Sequence, residues 1–222
     1  MRLITLNATV TASNDRDAAA LREKLAARGT LLVNVMSAAG SGKTTLLSRL
    51  IRDLPDVKIG VMEADIASDV DARTIEALGA AAIQVHTSGM CHMDAGMTAA
   101  AVEEMDPDLR LLFLENVGNL ICPAEYDTGA SLNLMLLSVP EGDDKPLKYP
   151  LMFQKSDALV VTKTDTLSYF TFDMEKCIER VKKLNPAIRI FPVSAKTGAG
   201  MAALEAFLRE RLSGLTEGTD HA

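Results

Sequence analysis

Hydrophobic and polar positions along the chain follow two rhythms. Short, nearly unbroken apolar runs recur: LLVNVM (31–36), VKIGVME (57–63), AAIQVHT (81–87), LRLLFLEN (109–116), SLNLMLLSV (131–139), DALVVTKT (157–164) and RIFPVSA (189–195). Such runs suit strands buried on both faces. Between them lie stretches whose apolar residues are three and four apart, the spacing of one helix face. These predict helices over 15–28, closed by Gly29, over KTTLLSRLIRDL (43–54) and over DVDARTIEALG (69–79), ending at Gly79. A further helix starts near His92 and runs through AGMTAAAVEEM, and two more cover DMEKCIERVKKL (173–184) and MAALEAFLRERLSG (201–214). Strands alternating with helices predict an α/β fold: a doubly wound, mostly parallel sheet with helices on both faces. No repeat or linker divides the chain. The expected organisation is an N-terminal helical extension (1–29) packed on a main domain (30–215), with a tail (216–222).

Composition narrows the function classes. The 222 residues are 48% hydrophobic and 24% charged, with a net charge of -7 and a pI near 5.0. That balance argues against nucleic acid, whose binders carry a basic footprint, and against adsorption to anionic membranes. No apolar run reaches the roughly 20 residues that span a bilayer. The opening MRLITLNATVTASNDRD lacks the apolar core of a secretory signal. Three scattered cysteines suit reduced thiols better than a disulfide framework. The expected compartment is the cytoplasm.

SAAGSGKTT (37–45) lies between the first strong strand and a helix. In that setting Gly40, Ser41 and Gly42 let backbone N–H groups curl around phosphates at a helix N-terminus. Lys43 would neutralise the β- and γ-phosphates, Thr44 would ligate Mg²⁺, and Thr45 continues the site. Ser37 stands where such loops usually begin with glycine, and serine restricts the backbone more. A glycine turn with no ligand is the bland alternative.

VVTKTD (160–165) resembles the guanine-reading motif of GTPases, usually Asn-Lys-x-Asp. The Asp165 carboxylate can accept from both guanine N1 and the 2-amino group, which adenine cannot match, and Lys163 would lie along the base. Thr162 occupies the asparagine position. PVSAK (192–196) resembles the second guanine loop: Ser194, Ala195 and Lys196, with the Ala195 N–H meeting O6. Together the loops predict GTP and GDP, which makes 30–215 a GTPase domain. For Mg²⁺ the strand-end carboxylates Asp65 and Glu115 are the leading candidates, with Asp69 third. Lys43 and Asp65 are the catalytic candidates; no residue is assigned to position the attacking water, and no arginine finger is evident.

GMCHMDAG (89–96) sets Cys91 beside His92, and Cys122 in NLICPAEYD supplies a third soft donor from another strand end. In a doubly wound sheet both loops can reach one edge. Neighbouring positions on a helix point about 100° apart, so Cys91 and His92 can share a metal only where the backbone is not yet helical. Three ligands leave a tetrahedral site one short, which favours a labile or subunit-bridging site. Cys177 falls in an apolar stripe with Met174, Ile178, Val181 and Leu184 and is read as core. The acidic loop EGDDKPLKYP is either a partner contact or a solvated connection, the latter being preferred.

Taken together, NVMSAAGSGKTTLL, EADIASDVDARTIEALG, CHMDA, FLENVGNLICPAEYDTG, SVPEGDDKPLKYP, TKTDTL with FDMEKCI, and PVSAKTGAGM resemble the hydrogenase nickel-incorporation GTPases, HypB, over nearly the whole chain from Asp15 to Leu212. The resemblance implies a GTP-hydrolysing nickel metallochaperone for [NiFe]-hydrogenase maturation that forms a homodimer on binding GTP. It implies Ni²⁺ or Zn²⁺ on Cys91, His92 and Cys122 near the dimer interface. A nickel-binding accessory protein and the hydrogenase large subunit are the implied partners. Family members often carry an added N-terminal Cys- or His-rich metal site, which this chain lacks; Ser37 is common in the family, and Thr162 departs from its usual asparagine. Rival readings are a urease-type nickel accessory GTPase, usually marked by Cys-Pro-His, a regulatory GTP switch with incidental metal ligands, and a zinc-stapled binding module with a degenerate nucleotide site.

Overall fold

The computed structural model describes residues 6–65, 70–87 and 89–217. Its centre is a seven-stranded sheet, β1 (Leu31–Ser37), β2 (Ile59–Asp65), β3 (Ala81–His86), β4 (Leu111–Glu115), β5 (Leu132–Ser138), β6 (Ala158–Thr162) and β7 (Arg189–Pro192), in the order β3-β2-β4-β1-β5-β6-β7. Every pairing is parallel. Parallel strands need covered crossovers, and the helices between strands supply them, with one more helix before β1 and one after β7. These are α1 (Leu6–Ala27), α2 (Lys43–Asp53), α3 (Val70–Glu76), α4 (Ala95–Glu103), α5 (Cys122–Glu125), α6 (Lys145–Lys148), α7 (Pro150–Gln154), α8 (Met174–Leu184) and α9 (Met201–Glu217).

The two-residue period of β1 sorts its side chains between the faces. Leu31, Val33 and Val35 join a core with Leu46, Leu47 and Leu50 of α2 and Leu204 and Phe207 of α9. Leu32 turns to the opposite face, where Leu21 and Leu25 of α1 meet Val102 of α4 and Met105. Met36 lies on that same far face, in a cluster with Phe153 of α7 and Cys177 and Val181 of α8. All seven residues of β1 are buried, as a central strand covered on both faces requires. The chain passes from β1 to β2 and β3, then returns through β4 to lie beside β1 before moving to β5 on its other side. The C-terminal ends of β1 and β4 therefore sit together, at the edge where doubly wound folds place ligands.

Several boundaries differ from the pattern-based ones. The first helix starts at Leu6 rather than at residue 15, because LNATVTASND holds no glycine or proline that would stop a helix. The helix expected near His92 starts at Ala95, where the Asp94 side chain accepts from Met97 N at 2.8 Å. Cys122 is not in a loop; it begins the one-turn helix α5, with Pro123 in its first turn. The acidic segment is also more than a solvated connection. Glu141 and Ser138 form a capping box, α6 and α7 follow, and Asp143 accepts from Asp173 N at 2.7 Å and pairs with Arg180. Turn-forming prolines and short helices carry too little periodicity to read from sequence.

Cys177 is fully buried in α8, and burial pushes its thiol up to about 12. An anaerobic alkylation at pH 8 is expected to label Cys91 and Cys122, both partly exposed, and to leave Cys177 unlabelled until the protein is unfolded. Mass spectrometry of the native protein checks this; labelling of Cys177 at a rate near that of the other two would show that it does not belong to the core.

Candidate nucleotide and metal site

The loop after β1 is shaped by its own side chains before any ligand is considered. Gly42 caps α2 with φ 95, in the left-handed region where glycine is favoured, and this turns the backbone into the helix. Ser37, fully buried, accepts from the Ser41 hydroxyl at 2.6 Å and from Lys43 Nζ at 3.1 Å. The serine at the usual glycine position thus braces the loop and holds the lysine at its mouth. Thr44 Oγ1 donates to Glu115 Oε1 at 3.1 Å, so a hydroxyl and a carboxylate, both hard oxygen donors, stand side by side. Glu63, paired in register with Glu115 on β2, is a second buried carboxylate here that motif reading missed. Asp65 closes β2, but its side chain lies outside the described residues, as does the whole of Asp69.

The end of β6 is fastened to the same loop. Thr162 Oγ1 donates to the Ser41 carbonyl at 2.7 Å, and Lys163 Nζ donates to the Gly40 carbonyl at 2.7 Å. Lys163 has φ 59, the sole positive φ outside glycine among the described residues, so local strain is accepted where the lysine bends back. Ser194 Oγ donates to Asp165 Oδ1 at 2.6 Å and fixes that carboxylate toward the β7 loop. Thr44, Thr45, Arg49, Ala195 and Lys196 share the wall of a cleft of about 730 Å³. Gly40, Ser41, Gly42, Lys43, Thr44, Thr45, Thr162, Lys163, Asp165, Ser194, Ala195 and Lys196 thus occupy one edge of the sheet.

A few residues further along, β4 leads to the sulfur donors. Cys91 Sγ and Cys122 Sγ lie 2.6 Å apart, both free thiols. The hydrogen bond to Cys122, together with burial, raises the Cys91 pKa. His92 Nδ1 is 3.9 Å from Cys91 Sγ, while its ring stacks on Tyr126 at 3.8 Å and 10°. Burial lowers the His92 pKa, against the pull of Asp94 and Glu125, which favours the neutral imidazole with a free lone pair. Residues 91 and 92 precede α4 and are not helical, so the geometric condition for both to face one ion holds. Yet among the described residues no three His, Cys, Asp or Glu side chains converge into a ready-made metal cluster. The two thiols meet; the imidazole is beside them but turned onto the tyrosine.

Sequence patterns did not pick out the residues that join the two sites. Asn116, following Glu115, donates to Asn34 Oδ1 at 3.0 Å, and Asn34 donates to Asn133 Oδ1 at 3.0 Å. Asn116 Oδ1 accepts from Met93 N at 3.3 Å, one residue after His92. Gly118 lies so close to the phosphate-loop region that an added Cβ would stand 3.0 Å from Ala39 Cα and N. The one available signal was an asparagine inside the apolar run LLVNVM, since a buried amide must find partners.

The profile "CobW/HypB/UreG, nucleotide-binding domain" matches residues 31–192. Hydrogenase maturation factor HypB of Azotobacter chroococcum mcd 1 is 42% identical over 212 residues, covering 95% of this chain and 70% of that protein. Hydrogenase/urease maturation factor HypB of Helicobacter hepaticus is 41% identical over 213 residues, covering 94% and 88% respectively. The crystal structure of HypB from Helicobacter pylori in complex with nickel superposes with a TM-score of 0.87 at 39% identity, over 91% of this chain and 96% of that one. With the matched profile spanning most of the sheet and this identity running along nearly the whole chain, the protein belongs to the HypB hydrogenase maturation factors of the CobW/HypB/UreG nucleotide-binding family.

Proposed function

We propose that this chain is a GTP-hydrolysing nickel metallochaperone for [NiFe]-hydrogenase maturation, acting in the cytoplasm as a homodimer formed on GTP. The observation that carries the reading is the single segment 115–122. It begins at Glu115 beside Thr44, passes Gly118 against Ala39, and ends at Cys122 against Cys91. A change at bound phosphates would then lie one short stretch of chain from the thiols. Lys43 binds the β- and γ-phosphates, and Asp165 selects guanine through two accepted hydrogen bonds. Thr44 and Glu115, with Asp65 as the second carboxylate, would hold Mg²⁺, which supplies charge neutralisation at the phosphates. The 30–215 region is the GTPase domain, with the helix before it as an extension.

The incomplete cluster supports a site shared by two subunits. Met90 and Ile121, the residues just before each cysteine, are 40% and 56% exposed, and they supply apolar surface beside the thiols for a second copy. Cys91, His92 and Cys122 of both subunits then bind Ni²⁺ or Zn²⁺, with neutral imidazole and thiolate matching the softness of either ion. A nickel-binding accessory protein delivers or receives the metal, and the hydrogenase large subunit is its destination. Service to urease as well is a second reading, favoured by the name of the Helicobacter hepaticus relative.

Anaerobic Ni²⁺ titration of the reduced protein with GDP or a non-hydrolysable GTP analogue, with mass followed by light scattering, tests the reading. The analogue is expected to produce a dimer and to shift nickel affinity by about 5- to 150-fold, the usual range of coupling between sites. Cys91→Ala and Cys122→Ala should abolish the shift. Identical affinities with both nucleotides and no dimer would sink it.

Gly118→Val should weaken GTP binding by about tenfold or more, because its side chain must displace the Ala39 backbone. Fluorescent-nucleotide binding measures this, with a thermal melt as control; wild-type affinity would refute the close-approach argument. Asp165→Ala should cost guanine affinity by on the order of 100-fold, two hydrogen bonds to a charged acceptor being lost. Competition between GTP and ATP reads it out, and retained preference for GTP would remove Asp165 from the specificity role.

A further inference from the structure

We propose that Asn14 is a positioning residue for the thiol pair: its one side-chain amide ties the segment carrying Cys91 and His92 to the segment carrying Cys122. The inference rests on the reading that these thiols hold a metal. Asn14 Oδ1 accepts from Ala95 N at 2.9 Å, and Asn14 Nδ2 donates to the Asp127 carbonyl at 2.8 Å. Ala95 opens α4, four residues after Cys91, and Asp127 follows Cys122 by five. The first N–H groups of a helix have no partner within it. Asp94 serves Met97 N, which leaves Ala95 N for a side chain from elsewhere.

The rest of α1 holds Asn14 in place over both segments. Arg22 Nη2 reaches both carboxylate oxygens of Asp127, at 2.8 and 2.9 Å, and its Nε donates to the Ala130 carbonyl at 3.1 Å. Gly129 is backed onto the same helix: a Cβ there would stand 2.8 Å from Leu21 Cδ2 and 3.2 Å from the Ala18 carbonyl. The same Leu21, with Leu25, shares a core with Ala101, Val102 and Met105. The helix is thus a splint, and among the described residues Asn14 is where a single side chain spans the gap between the two ligand segments. Asn116 performs the matching role from the sheet side, through Met93 N. Groups that orient metal ligands without touching the metal commonly change affinity by about 10- to 100-fold when removed.

Alanine is the better helix former, so Asn14→Ala removes the bridge without weakening α1. The full chain is compared as wild type, Asn14→Ala and Asn14→Asp, the last keeping an acceptor for Ala95 N but no donor for Asp127. Nickel affinity is read by competition with a chromophoric chelator, alongside the thiolate-to-nickel charge-transfer band, GDP affinity and the melting temperature. Asn14→Ala is expected to bind Ni²⁺ about tenfold or more weakly with a diminished band, at unchanged GDP affinity and with a melting temperature lowered by only the few degrees that two lost hydrogen bonds cost. Asn14→Asp should fall between it and wild type. Wild-type nickel affinity in Asn14→Ala overturns the proposal, and so does a loss shared equally by GDP affinity and melting temperature. Should the wild type bind no nickel, the functional reading fails instead. Positioning is then decided by the rate at which diamide joins Cys91 to Cys122, expected to be slower in Asn14→Ala and equal to wild type if Asn14 positions nothing.

Discussion

The hydrogen bonds that Asn116 makes at the end of β4 are the constraint on which the arrangement of the site depends. Its backbone N–H donates to the Val35 carbonyl, its amide nitrogen to Asn34, and its amide oxygen accepts from Met93 N. One residue thereby anchors the exit of the Glu115 strand to the phosphate-loop strand and to the segment bearing Cys91 and His92. From Glu115 to Cys122 the chain has seven peptide steps, so it can span at most about 25 Å. Within it, Gly118 is held against Ala39. Displacement of Glu115 relative to Thr44 has to be absorbed between two fixed points, and Cys122 lies just past the second.

Buried amides are an expensive way to build such a joint unless every one is satisfied. A buried polar group left without a partner costs about 1–3 kcal/mol. Asn34 and Asn116 are each 1% exposed; in this chain of amides Asn34 accepts from Asn116 and donates to Asn133, while Asn116 accepts from the Met93 and Val117 backbone N–H groups. A shift of register between β1, β4 and β5 would break the chain as well as the apolar contacts. The loop after β6 is held by the same economy of means. Thr162 and Lys163 use two side chains to fasten β6 to the Ser41 and Gly40 carbonyls, so the phosphate loop is braced from β4, from β6 and from its own Ser37. A hydroxyl at position 162 is sufficient for that bracing, because the carbonyl of Ser41 needs one donor and receives it at 2.7 Å.

Much of this was legible in the sequence where a rule of chain physics applies to a local stretch. Continuous apolar runs such as LLFLE and ALVVT became central parallel strands because only a strand covered on both faces needs them. Cys177 was legible as core from its i, i+3, i+4, i+7 neighbours, and it is fully buried. What escaped was non-local. Nothing near Asn14 indicates that its amide will reach both Ala95 and Asp127, 81 and 113 residues away. Likewise Gly118 looks like an ordinary turn glycine until the fold sets Ala39 against it. The ring of His92 lies on Tyr126, a stacking partner 34 residues on that no spacing rule selects.

Under the proposed function, the position of His92 bears on how a metal would be exchanged. A closed tetrahedral site with four fixed ligands releases its ion slowly, since every ligand must be lost in turn. Here the two thiols meet already, while the imidazole is held by an aromatic contact worth about 0.5–1.5 kcal/mol. That is a small cost for turning the ring toward an ion. Tyr126 lies on the same segment as Cys122 and Asp127, which α1 grips through Asn14 and Arg22. A movement of that segment driven from Glu115 would change the thiol spacing and the ring's resting place together. Under the proposed coupling, the nucleotide then need contribute only about 1–3 kcal/mol of difference between the two states of the segment, and by reciprocity the bound metal returns the same amount to nucleotide affinity.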